Sequence, residues 1–146
     1  MKSIYLIGSL RNENVPIVGQ SIRAAGFEVF DEWYSAGKIA DDSFKEYFQS
    51  RGITYDEALN SYAARHIFNF DKRHLDRCDA VVLVCPAGRS GHLELGYSIG
   101  RNKPAYILID ENTANDRWDL MLQFADKVTF SVEALVGELH NDTRLH

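Results

Sequence analysis

The run AVVLVCPAGRSGHLELGYSIGR, residues 80–101, decides the fold class. Its first six residues, Ala80 to Cys85, are apolar with no polar alternation, the pattern of a parallel strand covered on both faces. Gly91 to Arg101 then reads as a helix. Leu95 and Ile99 are four apart and can face the sheet, while Gly96 and Gly100 permit close backbone approach. Glu94 falls in the first turn of that predicted helix, where the dipole favours an ionised carboxylate at neutral pH. It is either an ordinary helix-start acid or a reactive group held at the rim of a sheet.

Working outward, Ser3-Ile4-Tyr5-Leu6-Ile7 is a short apolar run ending at Gly8 and predicts a buried first strand. A helix follows from about Pro16 to Ala25, with Pro16 in its first turn and Gly26 able to close it in the left-handed conformation. Glu28 to Phe30 predicts a second strand. Residues 31–53 lack clear periodicity but carry Trp33, Tyr34, Phe44, Tyr47 and Phe48 among acids; this aromatic insertion reads as a lid, a dimer contact or a surface excursion. Thr54-Tyr55-Asp56-Glu57 has capping-box form and opens a long helix through Ile67, with a break near Asn69 before a second stretch from Asp71 to Arg77. Ala105 to Ile109 is a fourth strand, Trp118 to Ala125 a helix, Lys127 to Phe130 a fifth strand, and Ser131 starts a last helix to Leu139. The polar tail from His140 to His146 is predicted to fray.

Strands alternating with helices imply an α/β protein: one three-layer domain over residues 1–146 with a roughly five-stranded parallel sheet, flavodoxin-like or Rossmann-like. In such sheets ligands bind beyond the carboxyl ends of the strands, where strand order reverses. That rim holds Gly8-Ser9-Leu10-Arg11 after the first strand and Pro86 to Gly91 after the third.

The chain has 146 residues, 45% hydrophobic and 25% charged, with a formal charge of −5. Lysines and arginines are scattered among acids, so no basic stripe tracks a phosphate backbone, and polymeric nucleic acid is excluded as the expected partner. The apolar stretch Ile4 to Ile7 is too short for a signal-peptide core, and no run approaches a membrane span. Cys78 and Cys85 form neither a disulfide framework nor a zinc-ligand spacing, and a reducing cytoplasm is the expected compartment.

Gly8-Ser9-Leu10-Arg11 offers backbone amides, a hydroxyl and a guanidinium at a strand end, which suits a phosphate monoester; a plain turn with a solvated arginine accounts for it as well. Asp71 reads either as a helix cap or as an acid near the rim. Gly88-Arg89-Ser90-Gly91 approaches a serine-hydrolase elbow, but His92 stands where the second glycine belongs. Cys85 is expected to be a small buried residue. His66 and His74 do not make a helical metal pair, so neither metal nor organic cofactor is expected.

Together these segments resemble the nucleoside 2-deoxyribosyltransferase family, and most closely its branch of 2′-deoxynucleoside 5′-monophosphate N-glycosidases. Ile4-Tyr5-Leu6-Ile7-Gly8-Ser9-Leu10-Arg11 is similar to that branch's opening strand and phosphate loop. Residues Asp71 to Asp79 resemble its Asp-x-x-x-Leu-x-x-x-Asp lead into the central strand, and Gly91-His92-Leu93-Glu94-Leu95-Gly96 resembles the segment bearing its catalytic glutamate. The match spans roughly residues 3–11 and 71–109.

The resemblance implies that Glu94 is the nucleophile on the anomeric carbon, that Tyr5 orients it, and that Asp71 handles the proton of the departing base. It further implies that Gly8, Ser9, Leu10 and Arg11 hold a 5′-phosphate, with Gly88, Ser90, Gly91 and His92 lining the substrate from the second loop. Transferases of the family often carry an acid about six residues before the glutamate, where this chain has Gly88; the glycosidases place a serine in this loop, and Ser90 stands at a shifted position. Arg11 and the missing acid favour hydrolysis of a nucleoside 5′-monophosphate over base exchange. A nucleotide-sensing module and an NAD-cleaving enzyme are the other readings. The family also implies a homodimer or larger assembly, with the segment from Trp33 to Phe48 and the region from Asn112 to Trp118 as candidate contacts.

Overall fold

A computed structural model describes residues 1–110 and 118–146. Five strands form one all-parallel sheet: β1 (Ser3–Ile7), β2 (Glu28–Phe30), β3 (Ala80–Val84), β4 (Ala105–Leu108) and β5 (Lys127–Thr129), in the order β2-β1-β3-β4-β5. This is the three-layer flavodoxin-like arrangement. Strand order reverses between β1 and β3, so the loops that leave these two strands flank the switch point.

Alternate residues of each strand point to opposite faces. Ile4, Leu6, Val82, Val84, Tyr106 and Leu108 pack on one side against α1 (Asn14–Ala24) and α6 (Val132–Asn141) through Val15, Val18, Ile22, Leu135 and Leu139. Tyr5, Ile7, Val81, Leu83, Ala105 and Ile107 face the other side, where Leu75 of α4 (Tyr62–Arg77) and Leu95 of α5 (Arg89–Gly100) cover them. All five residues of β3 are buried, which is why its sequence carries no alternation.

Several local predictions hold. Gly26 closes α1 at φ +100°, and Ser131 caps α6 by accepting from the Ala134 amide at 3.1 Å. The Thr54–Glu57 capping box is present in both directions. It opens only the short helix α3 (Tyr55–Leu59), because Ser61 caps a new helix at the Ala64 amide. That helix, α4, runs unbroken through Asn69, so Asp71 sits in mid-helix and is not a cap.

The insertion is also more regular than its sequence indicates. A 3₁₀ turn (Glu32–Ala36) leads into α2 (Ala40–Gln49), where the rings of Phe44 and Phe48, one turn apart, meet at 4.8 Å and 57°. No residue of α2 is fully buried. Residues 118–125, predicted to be a helix, supply a 3₁₀ turn at Leu120–Phe124.

The C-terminal tail is docked rather than frayed. Leu145 is 1% exposed, Arg144 bridges Asp142 and Asp126, and the Tyr106 hydroxyl donates to Asp142. The hydrophobic effect on one leucine and this charge-assisted network outweigh the polar composition of the segment. No described helix is long and apolar enough to cross a membrane. Of the predicted contact region from Asn112 to Trp118, residues 112–117 lie outside the described residues; Trp118 is exposed.

Candidate active site

Tyr5 lies mid-strand in β1, in register with Phe30 of β2 and Val81 of β3 and on the same face as both. That face is roofed by α4 and α5. On α4, Leu75 is buried against the sheet and Asp71 lies one turn before it, so Asp71 shares the inward stripe. On α5, Gly91, Leu95 and Ser98 form the buried stripe, and Glu94 borders it, half-buried. Gly91 lets the helix approach closely: a Cβ there would lie 3.2 Å from Ile7 and 3.3 Å from Leu83.

The two helices are held in register outside this site. The Tyr97 hydroxyl donates to one Asp76 oxygen at 2.6 Å and Lys72 binds the other at 2.9 Å. These bonds hold the Asp76 carboxyl below its ordinary range. Lys72 lies on the same helix as Asp76, so it is the Tyr97 bond that ties α5 to α4.

Beneath the roof the Tyr5 hydroxyl faces the Glu94 carboxyl, close enough to favour its ionised form. Burial and the charges of Glu94 and Asp71 push the phenol far up, so it remains a donor at any ordinary pH. Burial pushes Glu94 up to about 7; the Tyr5 bond works against this and the nearby Asp71 charge adds to it. Asp71 is also raised by burial, partly offset by His74. Two acids whose charges feel each other titrate as a pair, and near neutral pH this pair retains part of one proton.

These facts correct the dipole argument. Helix α5 begins at Arg89 and has no acid in its first turn, so Glu94, its sixth residue, is beyond the reach of the terminal charge. Desolvation dominates instead, and Glu94 is not fully anionic at neutral pH.

A flat aromatic wall stands beside the acids. The Phe30 and His74 rings stack at 4.1 Å and 6°, with Phe70 4.6 Å from His74, and Tyr5 meets Phe30 at 5.1 Å. Sequence spacing carries no signal for this wall, because Phe30 and His74 meet only when β2 and α4 share a face.

The first loop is held close to the second. Asn12 is a buried polar residue whose side chain donates to the Pro86 carbonyl at 3.3 Å and accepts from the Asn14 amide at 3.0 Å. Its sequence does not single it out, although Asn closing the turn from Ser9 to Asn12 is a familiar loop former. Gly8 is required by packing: a Cβ would come within 2.8 Å of Val15. Ser9 Oγ accepts from the Arg11 amide at 3.1 Å, and Leu10 is half-buried. Arg11 is exposed and paired with Asp42 of α2 at 3.3 Å.

In the second loop, Gly88 takes an extended conformation at the start of α5, Ser90 is exposed, and the His92 ring pairs with the Gly88 carbonyl at 2.9 Å. No side chain caps α5, so its first amides face the loop unpaired by a cap. Cys85 is buried and its thiol is pushed up to about 11, chiefly by burial, so it remains protonated. Among the described residues no cluster of His, Cys, Asp or Glu can hold a metal ion.

A buried tyrosine donor, one near-neutral carboxyl and a second raised carboxyl beside an aromatic wall can supply an anion and a proton to the same ligand. No family model matches the sequence, and no curated protein matches it. Solved structures do match in fold. A 2-deoxyribosyltransferase from the psychrotolerant bacterium Bacillus psychrosaccharolyticus is 19% identical with a TM-score of 0.60, covering 92% of this chain and 90% of that one. The Clostridium botulinum CMP N-glycosidase BcmB is 11% identical at a TM-score of 0.57, covering 95% and 99%. A conserved protein from Enterococcus faecalis V583 is 13% identical at 0.64, covering 96% and 98%. The chain therefore has, over nearly its whole length, the fold of a 2-deoxyribosyltransferase and of a CMP N-glycosidase.

Proposed function

We propose that this protein hydrolyses the N-glycosidic bond of a nucleoside 5′-monophosphate through a covalent glutamyl-sugar intermediate. The observation that carries the proposal is the Tyr5–Glu94–Asp71 cluster on the sheet face beside the switch point. In the first step a Glu94 oxygen bonds to C1′ while the bond to the base breaks. The bonding electrons leave with the base nitrogen, which takes a proton from Asp71. Water then attacks C1′, passes a proton to Asp71 and releases the Glu94 carboxylate with the sugar phosphate.

Such a reaction passes through an oxocarbenium-like state that an adjacent carboxylate stabilises. Tyr5 aims that carboxylate, and Asp71, raised by burial, is the second acid placed to hand a proton to the leaving group. The wall of Phe30 and His74 offers a face for the base. Gly8 to Arg11, with Gly88, Ser90, Gly91 and His92, surround the phosphate end in this reading, and no metal or cofactor takes part.

Base exchange is the second reading. It is favoured by the Arg11–Asp42 pair, which occupies the cation that a monophosphate requires and a nucleoside does not. The reading extends to a homodimer, with the segment from Trp33 to Phe48 as its contact; Ile39 and Tyr47 stand exposed there.

Chromatography of each common nucleoside 5′-monophosphate after incubation with the protein tests the proposal. Free base is expected from at least one substrate and none with Glu94→Ala. Formation of a new nucleoside on adding a free base would transfer the assignment to base exchange. Tight nucleotide binding without base release, unchanged in Glu94→Ala, would make the protein a binding module.

A further inference from the structure

The only ion pair of Arg11 among the described residues is made by the insertion, not by the phosphate loop itself. Arg11 Nη2 lies 3.3 Å from Asp42 Oδ2, and both side chains are about 70% exposed. The insertion is anchored where it makes this contact. The Trp33 indole donates to the Leu6 carbonyl of β1 at 2.7 Å, its ring lies 3.7 Å from the position of a Cβ on Gly8, and Lys38 pairs with Glu13 at 4.0 Å. An acid is thereby held against the one arginine of the Gly8–Arg11 loop.

We propose that Asp42 is a specificity-determining residue, competing with the 5′-phosphate of the substrate for Arg11 and so setting the preference between nucleoside 5′-monophosphates and nucleosides. The inference rests on the assignment of this loop to the sugar's 5′ end. A phosphate dianion at Arg11 must displace the carboxylate or share the guanidinium with it at a cost in charge repulsion, whereas a nucleoside leaves the pair intact. The acid costs the monophosphate some affinity and costs the nucleoside little. Because the pair is exposed, its strength is that of a surface ion pair and the preference is set softly.

The test measures KM for a nucleoside 5′-monophosphate relative to KM for the corresponding nucleoside in the wild type, Asp42→Asn, Arg11→Gln and the double variant. Asp41→Asn serves as a control with the same change in net charge. Asp42→Asn is expected to lower the ratio by about two- to five-fold, and this gain should disappear when Arg11 is also replaced. An unchanged ratio overturns the proposal; so does an equal gain in Asp41→Asn or in the Arg11→Gln background, because either result would make the effect one of general charge. Calorimetric binding of ribose 5-phosphate to the same variants needs no turnover and gives the same comparison. If no base is released from any substrate, the catalytic reading fails, while the ribose 5-phosphate affinities still decide the role of Asp42.

Discussion

Replacing Glu94 by Gln should stabilise the protein, and increasingly so as pH rises. The carboxyl titrates near 4.5 when solvated and at about 7 in the folded chain, with burial as the chief cause. Between those values the folded state binds more protons than the unfolded state, so stability falls as pH rises through that window and levels off above it. A displacement of this size corresponds to about 3 kcal/mol. Gln has nearly the same shape, can still accept from Tyr5 and does not ionise. Urea unfolding from pH 4 to pH 9 should find the two proteins equal near pH 4 and Glu94→Gln more stable by about 3 kcal/mol above pH 8. Stability curves that stay parallel between pH 5 and 8 would mean that Glu94 is solvated and that the cluster beneath α4 and α5 is not assembled as described. No substrate is needed, so the outcome bears on the geometry independently of the proposed reaction.

Tyr5→Phe removes the hydroxyl that favours the ionised form of Glu94. Losing a hydrogen bond to a charged group, worth about 1.5–3 kcal/mol, should move the rising limb of kcat/KM for base release upward by about one to two pH units; an unmoved limb would remove Tyr5 from the positioning role. Leu145→Ala, read by thermal or urea unfolding, should cost about 2–4 kcal/mol, as for any buried leucine; a cost near zero would restore the frayed tail that the polar sequence predicts.

The resemblance named Tyr5, Asp71 and Glu94, but it said nothing of their protonation, and the dipole reasoning from the helix start pointed the wrong way. An error of a few residues in the start of α5 moved Glu94 from the first turn to the second. That removed the dipole's influence and left burial to act alone. Similarly, without Ser61 recognised as a cap, the sequence places the break between the two helices near Asn69 instead of at Ser61, which puts Asp71 at a helix end. Arg11 was legible as a cation in a loop; its partner Asp42 was not, because nothing in the insertion shows where it folds.

What the sequence by itself determined is local. The unbroken apolar run of β3 demanded a strand covered on both sides, Gly26 closed α1, and Thr54 and Ser131 capped helices, because each depends on backbone sterics and neighbours a few residues away. Tertiary structure alone decided the aromatic wall of Phe30 and His74, the near-neutral Glu94, the Asp42 contact on Arg11 and the docking of Leu145. Each of these depends on which distant surface excludes water or supplies a charge, and desolvation and Coulomb energies follow spatial distance rather than distance along the chain.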